Sequence, residues 1–382
     1  MRIHFVVGVL FGLSLPAQST WVVDLLNRPG THFTDVQPAV DAAASGDRIE
    51  IRSIGVPPPL VGYYSAPLID GKGVTIVGEG AEGPSTTWWY GDISIRNLPM
   101  GQRVHVVDIQ LGLWAPVRPI AGGLFDLRNN DGEVVFERIV ARTGSTGPSI
   151  WVDTRLLLVK QSVLWVLGPR DPVRSSLISV DTDWRNSFAG PVIDAVDSKV
   201  WLINSTVIGL DVNHLGNSGS ALRTRNSEVW VGPGTLLQGG ITAAGPREAI
   251  DDVNTSLVHF DPRSTVIGYV GSLRANDPVP AIRTSIQGNV LSVDHRCTPS
   301  SVALLAFGGL LPQPSFSGAG LLCVDPASCV AFFAAVPASG DLLWQFAIPP
   351  GLPPELFVGL QGVELRADGA VQLTNPTTFG GV

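Results

Sequence analysis

Seven stretches of the chain follow one pattern, and that pattern limits its fold more than any other feature. They read GKGVTI, GQRVHV, DGEVVF, DTRLLL, DSKVWL, NSEVWV and NTSLVH, beginning at Gly71, Gly101, Asp131, Asp153, Asp197, Asn226 and Asn254. The first position holds only Gly, Asp or Asn, the residues that best tolerate a left-handed backbone. The fourth is aliphatic throughout (Val74, Val104, Val134, Leu156, Val200, Val229, Leu257), and the sixth is Ile76, Val106, Phe136, Leu158, Leu202, Val231 and then His259. A tight turn feeding a strand that points alternate residues inward gives this signature. Its repetition predicts a stacked parallel β-solenoid. The anchors lie 30, 30, 22, 44, 29 and 28 residues apart, too loose for leucine-rich or ankyrin arrays and suited to short strands with variable loops. The 44-residue step holds either two short turns of the coil or one with an insertion.

Composition agrees. The 382 residues are 45% apolar and 15% charged, with 43 Gly and 30 Pro, which fits a β-rich chain with many turns. A net charge of −8 gives no bulk attraction to nucleic acid or anionic lipid. Arg2, the apolar run FVVGVLFGLSL over residues 5–15, Pro16 and the small residues of Ala17-Gln18-Ser19 read as a secretory signal cleaved after Ser19. No Cys follows the run to suggest a lipid anchor, and no later segment is long and apolar enough for a membrane helix. In an oxidising compartment Cys297, Cys323 and Cys329 predict one disulfide and one free thiol. Cys323 and Cys329 are the nearest pair in sequence, and pairing with Cys297 stays open.

Thr34 or Asp35 caps a short helix through Val36, Val40 and Ala43 that would cover the open end of the solenoid, before a first strand at Asp47 to Ile51. The repeat fades after Gly268. From residue 289 the texture becomes VALLAFGG, GLLCVD, CVAFFAAV and LLWQFAIPP, read as a separate, sandwich-like β domain. The expected organisation is a signal at 1–19, a coil at 20–288 and a β domain at 289–382.

The helix at Thr34 to Ser45, the Gly46-Asp47 turn, the strand Arg48 to Arg52 and Gly73-Val74-Thr75-Ile76-Val77-Gly78 resemble the opening of right-handed parallel β-helix proteins of the pectate-lyase-like superfamily, and with the repeats the resemblance spans about 30–285. The C-terminal part looks like small β modules that end large secreted proteins of planctomycete-type bacteria. The first resemblance implies a polysaccharide as ligand or substrate; the superfamily holds lyases, hydrolases, esterases and adhesins.

Candidate sites follow from this. Hydrolases of the fold use clustered aspartates. Asp181-Thr182-Asp183, Asn213-His214, Arg223-Thr224-Arg225 and Asp251-Asp252 echo the polygalacturonase motifs, but the adjacent Asp pair comes after the histidine, and the order is broken. A lyase needs a cationic base beside carboxylates that hold Ca²⁺. Asp194, Arg223 and Asp251, each three residues before an anchor, are the nearest match, and the same column reads equally as a structural salt-bridge ladder. Asp181, Asp183, Trp184 and Arg185 sit in or beside the suspected insertion. Asp131, Asp153 and Asp197 occupy the anchor column and read as turn residues. Trp201 and Trp230 fall between the buried columns on successive repeats, where an outward aromatic pair would offer sugar rings a platform. The six histidines form no ligand pair, so no metal is expected from them. The sequence thus points to an exported, non-catalytic polysaccharide-binding or structural module, with a polysaccharide lyase or glycoside hydrolase as the alternative. On this reading Val200→Asp unfolds the protein and Trp201→Ala is tolerated.

Overall fold

The computed structural model describes residues 2–5, 18–54, 63–80, 87–111, 125–142, 149–166, 170–186, 190–210, 219–242, 245–254, 256–268, 270, 273–275, 279–317, 320–348 and 358–379. Among them the only α-helix is Val36–Ala42, and the rest of the regular structure is strand. The chain divides into two units, one comprising Gln18–His259 with Arg263–Ala275 and the other Met1–Ala17, Phe260–Pro262 and Asn276–Val382.

The first unit is built from three long parallel ladders, which the chain visits in a fixed order. Ladder A runs through Leu68–Asp70, Ile93–Arg96, residues 125–128, residues 149–152, Arg170–Val173, Ile193–Val196, Leu222–Arg225 and Ile250–Asn254. Ladder B takes Thr20–Val23, Arg48–Ile51, Thr75–Gly78, Arg103–Val107, residues 133–137, residues 156–160, Ser176–Val180, Lys199–Ile203, Glu228–Val231, Leu257–Phe260 and Leu273–Ala275. Ladder C collects Tyr64–Ser65, Trp88–Tyr90, Gln110–Leu111, Val140–Arg142, Val163–Val166, Asp183–Asn186, Thr206–Ile208, Leu236–Gln238 and Thr265–Ile267. Each circuit passes from A to B to C before meeting A again one strand further on.

Both corners of the circuit share one local solution. Between A and B the backbone enters the left-handed region at Gly71, Asn97, Asn129, Asp153, Arg174, Asp197 and Asn226, and between B and C at Asp108, Arg138, Gln161, Asp181, Asn204 and Gly234. The residue after the corner is often a buried hydroxyl that satisfies the neighbouring circuit. Thr154 N donates to Ser175 Oγ, Ser175 N to Ser198 Oγ, Ser198 N to Ser227 Oγ and Ser227 N to Ser256 Oγ, each at 3.1 Å. At the other corner Ile139 N donates to Ser162 Oγ at 3.0 Å and Thr182 N to Ser205 Oγ at 3.4 Å. Amides that turn inward away from a ladder thereby find acceptors.

Inward residues fill the space between the ladders. Val74, Val104, Val134, Val200, Val229, Ile76, Val106, Phe136, Leu202 and Val231 are all buried. Larger rings occupy the middle circuits: Phe125 stacks on Phe136 at 4.6 Å, and Trp151 meets the edge of Trp184 at 6.0 Å. Two expected inward positions shift by one residue. Leu157, not Leu156, aligns with Val134 and Leu177, and Val258 is fully buried while Leu257 is 38% exposed. An extra residue precedes each: one follows the Asp153 corner, and the other is a bulge within strand Ile250–Asn254, which shifts register against Leu222–Arg225. One added residue moves a strand's side chains to the opposite face. The 44-residue step is two circuits, because Arg174 forms a corner of its own. Asp131 is not a left-handed corner; Asn129 takes that place. Helix Val36–Ala42 is capped by Asp35, whose carboxylate accepts from Val36 N at 2.8 Å, and it packs on Thr20–Val23, Arg48–Ile51, Tyr64–Ser65 and Leu68–Asp70, early strands of all three ladders.

The second unit has two four-stranded sheets. One orders Arg2–Phe5, Asp341–Ala347, Val290–Arg296 and Ala281–Gln287, and the other Val330–Ala335, Val302–Gly308, Val358–Leu365 and Val371–Phe379. Both contribute to one core containing Ile282, Val293, Leu305, Leu342, Trp344 and Leu360. The hairpin Ala281–Gln287 with Val290–Arg296 lies wholly in this unit, so the expected boundary at 288/289 falls between its strands. Arg2–Phe5 pairs in parallel with Asp341–Ala347; residues 6–17, most of the expected signal, lie outside the described residues. All three cysteines are unbridged, so the expected Cys323–Cys329 disulfide is not formed. Cys323 is buried on strand Gly320–Val324 with its amide on Gln361 Oε1 at 2.9 Å, whereas Cys329 is half-buried beyond the turn at 326–328.

Candidate functional site

The outward side chains of ladder A carry two clusters of paired charges. Asp194, Arg223 and Asp251 occupy one register column, as their spacing predicts. Arg223 reaches both acids, with Nη1 3.4 Å from Asp194 Oδ2 and Nε 3.1 Å from Asp251 Oδ2, and Arg225 adds a contact to Asp194 at 3.4 Å. The trio is therefore an ion-pair ladder between successive strands. It does not fit a Ca²⁺ site, because a guanidinium already bridges the two carboxylates a cation would need. Among the described residues, no group of three or more His, Cys, Asp or Glu side chains could hold a metal ion.

A second cluster lies nearer the start of the same face. Arg96 and Arg128 flank Asp126, with Arg128 Nε 2.5 Å from Asp126 Oδ1 and Arg96 pairing with its other oxygen. Burial works against the Asp126 carboxylate, but the hydrogen bonds from Arg128 and Arg96 outweigh it and lower its pKa. Asp92, just before strand Ile93–Arg96, behaves oppositely: burial and the Asp126 charge push its pKa up to about 6. Between the clusters, Val152, Val173 and Val196 continue the column of Arg128 and Arg225, each half-buried. Arg128 and Arg225 are four strand steps apart, about 19 Å at the ~4.8 Å spacing of a ladder.

The suspected insertion around Asp181 is an ordinary circuit. Asp181 is a left-handed corner whose Oδ1 accepts from Asn204 Nδ2 at 2.7 Å. Asp183 and Arg185 project from strand Asp183–Asn186 and pair with each other at 3.0 Å, while Trp184 between them is buried and donates to Ser179 Oγ at 2.8 Å. Asp153 and Asp197 are corners too, and their carboxylates accept from Arg174 Nε at 2.6 Å and Asn226 Nδ2 at 2.6 Å. Asn213 and His214, and the side chain of Asp252, lie outside what the structure describes.

Trp201 and Trp230 do share a column, and their rings stack at 4.2 Å with an interplanar angle of 2°; His259 continues the stack 5.4 Å beyond Trp230. This corrects the expected sugar platform. In a parallel ladder, side chains at one register position stack along the ladder, so the rings cover each other's faces instead of turning them to solvent. Trp201 is moreover only 4% exposed. Lys199, 6.0 Å from the centre of the Trp230 ring, and His259 both pair with Glu228, at 3.5 and 3.3 Å. The His259 hydrogen bond, opposed by burial, lowers the Glu228 pKa.

One cluster escaped the sequence reading. On the outward side of ladder B, His105 Nε2 lies 3.3 Å and Lys160 Nζ 3.8 Å from Glu137 Oε2, and Arg138 joins Glu137 at 2.5 Å and Asp108 at 2.7 Å. Burial raises the Glu137 pKa, but His105, Lys160 and Arg138 overcome it and hold the group at about 2. Burial pushes the pKa values of both His105 and Lys160 down. Its charges balance internally, and because its members sit at different positions of different circuits, no local sequence signal joins them.

Asp153, Asp181, Asp183, Asp194, Asp197 and Asp251 are thus each engaged with an Arg or Asn neighbour. No protein-family model matches the chain, and no curated protein matches it.

Proposed function

We propose that the first unit coils as a right-handed parallel β-helix of the pectate-lyase-like kind, in an exported protein, and that it binds an extended polysaccharide along the outward face of ladder A without cleaving it. The observation that carries this reading is the pair of Arg–Asp clusters, Arg96–Asp126–Arg128 and Asp194–Arg223–Arg225–Asp251, with the valine row between them. Half-exposed guanidinium groups present planar donors to sugar hydroxyls and carboxylates, and aliphatic side chains suit the apolar faces of sugar rings. A rigid ladder holds both clusters at fixed spacing, which spares a bound chain part of the entropy cost of ordering its site.

Affinity electrophoresis through gels containing acidic or neutral polysaccharides tests the assignment. Retention of the wild type should fall at least about tenfold in the Arg223→Ala, Arg225→Ala double variant, while a Trp230→Ala variant migrates like the wild type. Equal retention of the arginine variant removes ladder A from the account.

A second reading has one observation in its favour. Asp92, pushed up to about 6, and Asp126, held low, are two acids whose environments separate their protonation, as a general acid and its anionic partner require. If the protein cuts a polysaccharide, Asp92→Asn should abolish cleavage at every pH. Cleavage that survives this substitution excludes the pair.

A further inference from the structure

The outward face of the sheet formed by Val330–Ala335, Val302–Gly308, Val358–Leu365 and Val371–Phe379 breaks the rule of solvent-facing sheets. Strand alternation places Ala303, Leu305 and Leu360 in the core, with Phe332 and Ala334 packed against it. The opposite face should then be polar. Instead the register lines up two apolar rows across all four strands. One runs Ala335, Val302, Leu365, Val371 and the other Phe333, Leu304, Val363, Leu373. Phe333 is 72% exposed, and Val302, Leu365 and Val371 are each 45–47% exposed. No charged side chain interrupts either row.

We propose that this face docks on the same face of a second copy of the chain. Its shape favours that occupant. The strand order places Phe333 at one edge of the sheet and Leu373, in the same row, at the other. A twofold axis parallel to the strands lays one copy's Phe333 edge over the other's Leu373 edge, so the largest and most exposed side chain meets a smaller aliphatic one at both ends. Such a pairing is isologous and closes at two copies. Two aliphatic sheet faces pack about 10 Å apart with interdigitating side chains, the arrangement of a β-sandwich core. The lack of charge leaves nothing to repel an identical face.

Area sets the strength. Four strands ~4.8 Å apart and the two rows, ~6.8 Å apart along them, give a footprint of roughly 250–300 Å² per copy. That is at the scale of functional patches on monomers and well below the ~800 Å² per partner of standard stable interfaces. The dimer is therefore weak and concentration-dependent, with a dissociation constant in the micromolar range or above.

Sedimentation velocity over two decades of protein concentration spanning the micromolar range is the test, on the full chain and on Phe333→Glu and Leu365→Glu variants. The wild type should shift from monomer to dimer as concentration rises. Both variants should stay monomeric at every concentration, with an unchanged circular dichroism spectrum, since both side chains are exposed. If one variant loses its fold, Val371→Lys replaces it. A wild type that is monomeric throughout overturns the proposal, as does a dimer that persists in both variants. Co-flotation with phosphatidylcholine vesicles in place of self-association also overturns it, by assigning the face to a lipid surface.

Discussion

A buried hydroxyl one residue beyond a left-handed corner does two jobs. Ser198 Oγ accepts from the Ser175 amide at 3.1 Å and donates to the Val196 carbonyl at 2.7 Å. Ser198→Ala strands the Ser175 amide in the interior and should cost about 1–3 kcal/mol, while Ser198→Thr keeps the bond and should cost less. Urea midpoints of the three proteins check this. Arg174 gives a second test, because its left-handed backbone, with φ at 48°, is what makes it a corner. Arg174→Val should destabilise, because a β-branched residue tolerates that region less well than Arg, and Arg174→Asn should come close to the wild type despite losing the exposed pair with Asp153. Equal midpoints for the two Arg174 variants contradict the corner assignment. Gly71, Asp153, Asp197 and Asn226 were legible because their residue types advertise the left-handed region. Arg174, Arg138 and Gln161 adopt it with side chains that carry no such signal, so one A-to-B corner and two of the six described B-to-C corners could not be read from residue type.

Among the strands, burial decides which substitutions matter. Val200 is fully buried and aligned with Leu177 and Val229, so Val200→Asp places a charge in the interior and should unfold or aggregate the first unit. The outward neighbour behaves unlike the simple in–out rule. Trp201 is 4% exposed and stacked on Trp230, so Trp201→Ala should cost about 3–5 kcal/mol, where alternation alone predicts tolerance. A thermal melt of Trp201→Ala indistinguishable from the wild type contradicts the buried stack. The alternation of strands such as Lys199–Ile203 was readable because it has a period of two. Whether an outward position is covered depends on segments distant in sequence, and the single extra residues before Leu157 and Val258 shift the phase without changing the texture. The Asp194–Arg223–Asp251 column was found for a simple reason: in-register parallel pairing turns equal offsets from an anchor into spatial neighbours.

The whole molecule carries a pH dependence in its second unit. His295 is fully buried, its ring 6.4 Å from Trp344, and among the described residues neither ring nitrogen has a hydrogen-bond partner. Burial pushes its pKa down to about 3, from the ~6.5 of an unfolded chain. The folded unit holds the neutral ring, so its stability is fully present above about pH 6.5 and drains away as pH falls towards 3, by roughly 2 kcal/mol between pH 6.5 and 5. His295→Gln, which cannot titrate, should flatten that part of the profile in melts taken across the range; an equally steep profile in the variant assigns the loss to other groups. The proposed export makes a separate demand. If residues 1–19 act as a signal, the mature chain should begin at Thr20, and a mature chain that keeps Arg2–Phe5 contradicts cleavage after Ser19.

On the proposed function, the acids of the ladders serve the fold and their surface holds a polysaccharide without cutting it. The chain length of polysaccharide recovered from the complex decides this. Retained polymer of unchanged length, without unsaturated ends and without new reducing ends, is expected. Shortened chains carrying either kind of end would contradict it and hand the site to an enzyme.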